Sequence, residues 1–193
     1  MSAEIHLAGI SGSLRKGSYN TSLLNALFPL LPENVSMEIL SITGIPLYDA
    51  DLDVPEAEKR PAIVQRFRDR LAVADGIVIV SPEYNYSIPG GLKNAIDWAS
   101  RGTDSPLLNK HVAVMGATPG LWGTIRMQMA FLPVFVFLGM KPVLKPEVLI
   151  AQAANKFDAN GNLTDEMAKD IIRKKLTALK EAILTEHQIA SEA

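Results

Sequence analysis

The chain has 193 residues, with 19 Lys and Arg against 21 Asp and Glu, a formal charge of −2 at neutral pH. No basic field is present to attract nucleic acid or an acidic membrane surface, and the absence of cysteine excludes a disulfide framework, a thiol nucleophile and a cysteine-held metal. The length predicts one domain over residues 1–193 with a full core, and the start Met1-Ser-Ala-Glu-Ile5, which lacks a basic n-region, predicts a cytoplasmic protein.

Taken in chain order, Ile5–Ile10 is an apolar run that reads as a first strand. Tyr19–Leu31 reads as a helix with Leu23, Leu24, Leu27 and Leu31 on one stripe, and Val35–Ile42 as a second strand. Ile45–Lys59 is a long loop rich in Pro and Asp. In Pro61–Ala74 apolar residues recur at three- and four-residue steps, which predicts a helix. Gly76–Ser81 is nearly all apolar, as expected of a parallel strand buried on both faces. Gly91–Arg101 reads as a helix, His111–Ala117 as a fourth strand, Thr124–Gly139 as a helix, and Pro142–Ile150 as a fifth, edge-like strand. Thr164–Glu186 closes the chain as an amphipathic helix, with Thr164 the expected N-cap and Asp165 and Glu166 favourable to its dipole.

The Met129–Met140 segment is apolar around the whole helical circumference, although Pro133 interrupts it. It falls short of the roughly 20 apolar residues that a bilayer span requires. Such a helix needs cover on more than one side, which predicts a contact with a second subunit through an outward residue such as Phe135 or Phe137. Five strands alternating with five helices predict an α/β class, a doubly wound three-layer sandwich with helices on both faces of a five-stranded parallel sheet. The order 2-1-3-4-5 would bring the loops after strands one, three and four together in one crevice.

Those loops carry the chemistry. Residues 9–21 read Gly-Ile-Ser-Gly-Ser-Leu-Arg-Lys-Gly-Ser-Tyr-Asn-Thr, a strand end, a tight polar loop and a helix start. Ser11, Ser13, Ser18, Asn20 and Thr21 crowd into one turn beside backbone N–H groups that can wrap a phosphate. Gly12 and Gly17 have P-loop spacing, but Ser18 and Tyr19 stand where that motif needs Lys and Ser or Thr, so a triphosphate with magnesium is poorly supported. The dinucleotide pattern G-x-G-x-x-G is absent as well. What remains, with Arg15, suits a terminal phosphate monoester; the plainer reading is an ordinary capped turn.

The second loop, Ser81-Pro-Glu-Tyr-Asn-Tyr-Ser-Ile-Pro-Gly-Gly91, is stiffened by Pro82 and Pro89 and released into a helix by Gly90 and Gly91. Tyr84, Asn85 and Tyr86 can present amides and ring faces to a planar heterocycle; the plainer reading is solvent-facing tyrosines. A third loop, Ala117-Thr-Pro-Gly-Leu-Trp-Gly-Thr124, can flank the same ring. Together a phosphate cup and an aromatic, amide-rich loop suggest a mononucleotide with a flat ring. Trp98 reads as core and Trp122 as packing or interface. His6, His111 and His187 show no metal spacing, the acidic Asp49–Asp53 stretch reads as a solvated loop, and Met127, Met129 and Met140 read as packing.

Gly12-Ser-Leu-Arg-Lys-Gly-Ser-Tyr-Asn20, Pro46-Leu-Tyr-Asp-Ala-Asp51 and Ser81–Trp98 resemble the NADPH-dependent FMN reductase family, and within it the branch of bacterial soluble quinone and chromate reductases. The resemblance implies a flavodoxin-like fold, non-covalent FMN, and NADPH or NADH as electron donor. It implies that Ser11, Ser13, Arg15, Ser18, Asn20 and Thr21 surround the phosphate and ribityl chain. It implies further that Pro82, Glu83, Tyr84, Asn85 and Tyr86 line the isoalloxazine, and that Thr118, Pro119, Gly120 and Gly123 lie on its pyrimidine side. The third segment departs from the family's Ser/Gly-rich version by its Thr-Pro and Leu-Trp. The implied activity is a ping-pong transfer of electrons to quinones or to azo compounds, chromate or free flavin, in a homodimer or homotetramer. Asn85 and Tyr86 would shape the redox face, and no catalytic acid–base pair and no metal is needed because the flavin carries the chemistry. Two rival readings remain at this stage, a flavodoxin-type electron carrier and a non-catalytic nucleotide-binding module. The near-neutral charge argues against the carrier.

Overall fold

Apolar runs separated by helical segments return to the same edge of a sheet, so their strands pair in parallel. The computed structural model describes residues 4–53 and 59–192. Residues 54–58 of the expected Ile45–Lys59 loop lie outside the described residues. The strands are β1 (Ile5–Ser11), β2 (Val35–Leu40), β3 (Gly76–Val80), β4 (His111–Ala117), β5 (Lys141–Pro142) and β6 (Leu149–Ile150). The helices are α1 (Tyr19–Ala26), α2 (Ala62–Val73), α3 (Gly90–Ala99), α4 (Ile125–Leu138) and α5 (Glu166–Glu192). Every ladder is parallel and the order is β2-β1-β3-β4-β5, with β6 also on β4. The expected order 2-1-3-4-5 is therefore observed.

The alternation of side chains along each strand feeds two cores. Leu7, Val78, Val80, Ala113 and Met115 pack under α1 and α5, through Leu23, Leu24, Leu27, Ile172, Leu176 and Leu179. Ala8, Ile10, Ile77, Ile79 and Val114 pack under α2, α3 and α4, through Phe67, Leu71, Leu92, Ile96, Phe131 and Phe135. Trp98 is fully buried, and its indole N–H donates to the Pro46 carbonyl at 2.8 Å. The buried Arg68 donates to the carbonyls of Trp98 at 3.0 Å and Ala99 at 2.7 Å, closing the C-terminal end of α3.

Four expectations are corrected. The first helix ends at Ala26, because Pro29 continues it only as a short 3-10 turn over Phe28–Leu30. The fifth strand is two short pieces. Pro142 and Pro146 supply no N–H, and the chain between Val143 and Val148 leaves the ladder before β6 rejoins β4 at Gly116 and Ala117. The last helix runs on to Glu192, and its cap is Asp165, whose carboxylate accepts from the Ala168 N–H at 2.7 Å; Thr164 instead donates to the Lys156 carbonyl. That N–H bond, with Lys156 at 3.2 Å, holds the Asp165 carboxyl below the ordinary range. Finally, Phe135 is not outward. It is 2% exposed and stacks on Phe131 with ring centroids 5.0 Å apart, whereas Phe137 is 86% exposed.

Candidate functional site

The loops after β1, β3 and β4 meet at Ser81. The Gly12 N–H donates to the Val80 carbonyl at 2.8 Å, and the Ser81 N–H to the Met115 carbonyl at 3.0 Å, so the ladder carries each loop to the same level. Two glycines make the approach possible. A Cβ on Gly12 would stand 2.2 Å from Ser81 Oγ, and one on Gly116 would stand 2.3 Å from the Ser81 carbonyl oxygen.

In the first loop the hydroxyls organise the turn. Ser11 Oγ lies 2.9 Å from Thr21 Oγ1 and accepts from the Ser13 N–H at 3.3 Å, and Ser13 Oγ accepts from the Arg15 N–H at 3.3 Å. Ser18 caps α1 by accepting from the Asn20 N–H at 3.2 Å. The N–H groups of Leu14, Lys16, Gly17, Tyr19 and Thr21 have no partner among the described residues. They are donors left open in the loop that runs into a helix start, a place that receives a phosphate. The Arg15 side chain is exposed beside them. Asn20 takes a different place from the one the sequence suggests. It is buried, and its amide is committed at both ends: Oδ1 accepts from the Ala117 N–H at 2.8 Å, and Nδ2 donates to the Ala117 carbonyl at 2.9 Å. Beyond Met115 no strand among the described residues covers the β3 side of β4, and Asn20 continues the ladder there, tying the first loop to the third.

The second loop closes as a two-residue hairpin. The backbones of Tyr84 and Ser87 exchange both hydrogen bonds, at 3.2 and 2.9 Å, around Asn85 and Tyr86. Both central residues have positive φ, +50° and +63°, as such a turn requires. Asn tolerates this, but a bulky Tyr does so under strain, and strain of this kind gathers at functional sites. Tyr84, Asn85 and Tyr86 are exposed, while Pro82 and Glu83 are half-buried.

The third loop is pinned to the chain beyond β6. The Ala153 N–H donates to the Thr118 carbonyl at 3.0 Å, and the Gln152 N–H to the Gly120 carbonyl at 2.9 Å. Gly123 has φ +57°, and a Cβ there would meet the Leu149 backbone at 2.8 Å. Pro119, Gly120 and Trp122 face solvent.

Three features of the site carry no clear sequence signal or a signal left unread. Glu83 caps α4 from a distance, its carboxylate accepting from the N–H groups of Arg126 at 2.9 Å and Met127 at 3.2 Å; Thr124, at φ +67°, gives no side-chain cap. Arg126 reaches back over the rings of Tyr86 and Trp122, 4.1 and 5.4 Å from their centroids, and joins the second loop to the third. Gly116, a glycine inside an apolar strand, is the missed signal of close backbone approach. The histidines stand apart. His6 lies against Ser36 and Glu38, His111 against Glu186, and His187 against Asp75. Burial, and then Lys141, hold the His111 imidazole below its usual range. Among the described residues no three His, Asp or Glu side chains gather in a way that could hold a metal ion, and no helix is long and apolar enough to cross a membrane.

A parallel sheet of order 2-1-3-4-5, with its polar loops converging past the carboxyl ends of the central strands, defines a flavodoxin-like protein. Residues 5–155 match the family described as NADPH-dependent FMN reductase, and the chain belongs to that family. It is 46% identical over 180 residues to an NAD(P)H-dependent FMN reductase of Pseudomonas aeruginosa, covering 93% of this chain and 96% of that protein. It is 42% identical over 185 residues to a quinone reductase of Escherichia coli K12, covering 95% and 97%. Among solved structures it resembles the flavoenzyme NAD(P)H:(acceptor) oxidoreductase of Paracoccus denitrificans, with a TM-score of 0.83, 32% identity, and coverage of 93% and 97%.

Proposed function

We propose that the protein is a cytoplasmic, single-domain FMN-dependent NAD(P)H oxidoreductase that reduces quinones or similar small acceptors in two half-reactions. The open N–H donors of the loop that leads into α1 carry this reading. With the hydroxyls of Ser11, Ser13, Ser18 and Thr21 and the cation of Arg15 it suits the FMN phosphate and ribityl chain, and Asn20 holds that loop in place. Pro82, Glu83, Tyr84, Asn85 and Tyr86 would line the isoalloxazine, and Thr118, Pro119, Gly120 and Gly123 its pyrimidine edge. Bound FMN supplies hydride acceptance and return to an acceptor. The chain's own contribution is placement. The helix N-terminus neutralises phosphate charge, the hairpin fixes the backbone amides of Asn85 and Tyr86 at one height, and Arg126 holds the rings of Tyr86 and Trp122 at the rim, where they limit water. One open face then serves donor and acceptor in turn.

Two measurements test this. The purified protein should be yellow, and its flavin band should bleach on mixing with NADPH or NADH without any other enzyme and return on addition of benzoquinone. Rates measured across several quinone concentrations should give parallel double-reciprocal lines. A protein that oxidises neither nicotinamide is a carrier or a binding module, and intersecting lines reject the two-half-reaction scheme.

We also propose a homodimer or homotetramer built on the outer face of α4, where Met129, Val136 and Phe137 are exposed. Phe137→Glu should leave the fold intact and yield monomers, whereas Phe135→Glu should unfold the chain by placing an unpaired charge in the core. Analytical ultracentrifugation separates the cases, and wild-type protein that sediments as a monomer at micromolar concentration removes the proposal.

A further inference from the structure

Lys175 lies on α5, which packs on one face of the sheet, yet its amine emerges on the other. It passes through the gap between β5 and β6, and Nζ donates to the carbonyls of Val143 at 2.5 Å and Leu144 at 3.3 Å. There it lines a cavity of about 210 Å³ whose walls are Val112 and Val114 of β4 and Ile125, Met129 and Leu132 of α4. The residue is 2% exposed. No carboxylate lies within ion-pair distance of Nζ among the described residues, and the nearest acid, Glu147 at the cavity mouth, is paired with Lys145 at 3.2 Å. An ammonium has three donors, and two carbonyls satisfy two of them without cancelling the charge. A buried cation with no counter-ion is costly. Burial, offset only in part by Glu147, pulls the Lys175 amine down to about 8.

We propose that this cavity is a second binding site, separate from the three-loop site, for a small apolar-bodied carboxylate whose oxyanion pairs with Lys175. A cavity of about 150 Å³ is known to accept a benzene ring, so the space here suits one ring carrying a carboxylate. The apolar walls cover the ring, and the free N–H of Nζ meets the carboxylate in a medium where charge-assisted bonds are strong. The charged groups facing Nζ are Lys145 and Glu147, from the segment between the two short strands. β4 contributes only valines, and α4 contributes Gln128, whose Nε2 is held by the Val148 carbonyl at 3.0 Å. The inference stands independently of the flavin reading.

The test is a titration of the flavin-loaded protein with para-fluorobenzoate, followed by fluorine NMR. Saturable binding is expected at neutral pH, weakening as pH rises through about 8, because the ammonium that pairs with the anion loses its proton. Lys175→Met should weaken binding by about tenfold or more, the loss of a charge-assisted bond in a buried site. Leu132→Trp, which fills the cavity from the α4 wall and leaves the lysine in place, should abolish binding should the first variant fail to fold. The flavin absorption band should not shift on titration. The proposal is overturned by the absence of saturable binding up to millimolar ligand, by wild-type affinity in either folded variant, or by a flavin shift that places the ligand in the three-loop site.

Discussion

Alanine at Gly116 is expected to cost about 3 kcal/mol or more, as overpacking of a well-filled site does, and so to lower the melting temperature by roughly 6–12 °C in a chain of this size. The added methyl would stand 2.3 Å from the Ser81 carbonyl oxygen and equally close to Thr124 Oγ1. Neither yields easily: the first is backbone, and Thr124 is buried. Relief requires β4 to part from the β3 loop, which moves the second loop away from the third. FMN affinity should therefore fall together with stability. Gly12→Ala makes a different clash with the same residue, meeting Ser81 Oγ at 2.2 Å and its Cβ at 2.7 Å. Ser81→Gly removes both atoms, leaving only the movable end of Leu92 at 2.9 Å, and should rescue most of the loss in Gly12→Ala, but it leaves the carbonyl in place and should not rescue Gly116→Ala. Calorimetry on the three single and two double variants, with FMN titrations on each, forms two mutant cycles that share Ser81→Gly. Equal rescue of both glycine variants would show that the loops do not converge on Ser81 as described.

The parts of the fold that the sequence announces are those decided locally. The buried run Gly76–Val80, the apolar steps of α2 and the Pro–Gly boundaries of the second loop are each set by neighbours a few residues away, and they fix the strand order with its crevice. What stays hidden is set by distant partners. Pro142 and Pro146 are visible in the sequence, but the Lys175 amine that takes the carbonyls of Val143 and Leu144 where the fifth strand breaks comes from another element. The inward turn of Phe135 and the outward turn of Phe137 are invisible in a helix apolar on every side, because periodicity has nothing polar to contrast. In the site, the sequence shows which residue types gather at the loops but not how each is used. Glu83 reads as a ring neighbour and is also the cap of α4, because Thr124 enters that helix left-handed and leaves its first N–H groups open. Arg126, which bridges Tyr86 and Trp122, has no motif at all.

Asn20 offers the sharpest separation between holding the site together and touching its ligand. Its amide fills the N–H and carbonyl of Ala117, 97 residues away, and both bonds are buried. Asn20→Ala leaves those two backbone groups unpaired, at about 1–3 kcal/mol each, and should destabilise the protein without flavin by roughly 2–6 kcal/mol on the same basis. Asn20→Asp keeps the shape but replaces the donor by a carboxylate oxygen facing the Ala117 carbonyl. That site favours the protonated carboxyl, which can still donate to the carbonyl and accept from the N–H. The folded-state pKa of this aspartate should therefore lie above its unfolded value of about 3.9. The sign follows from linkage: between those two values the folded protein binds more protons than the unfolded one, so stability falls as pH rises. Asn20→Asp should approach wild type near pH ~4 and drop below Asn20→Ala at pH ~8, where a buried charge faces a carbonyl. Urea unfolding of wild type and both variants at the two pH values, with and without FMN, reads all of this directly. If Asn20 served only as a donor to the phosphate, both variants would match wild type without flavin and lose only FMN affinity. A deficit that is present without flavin, and that depends on pH in the aspartate variant alone, assigns Asn20 to the strut between the first and third loops.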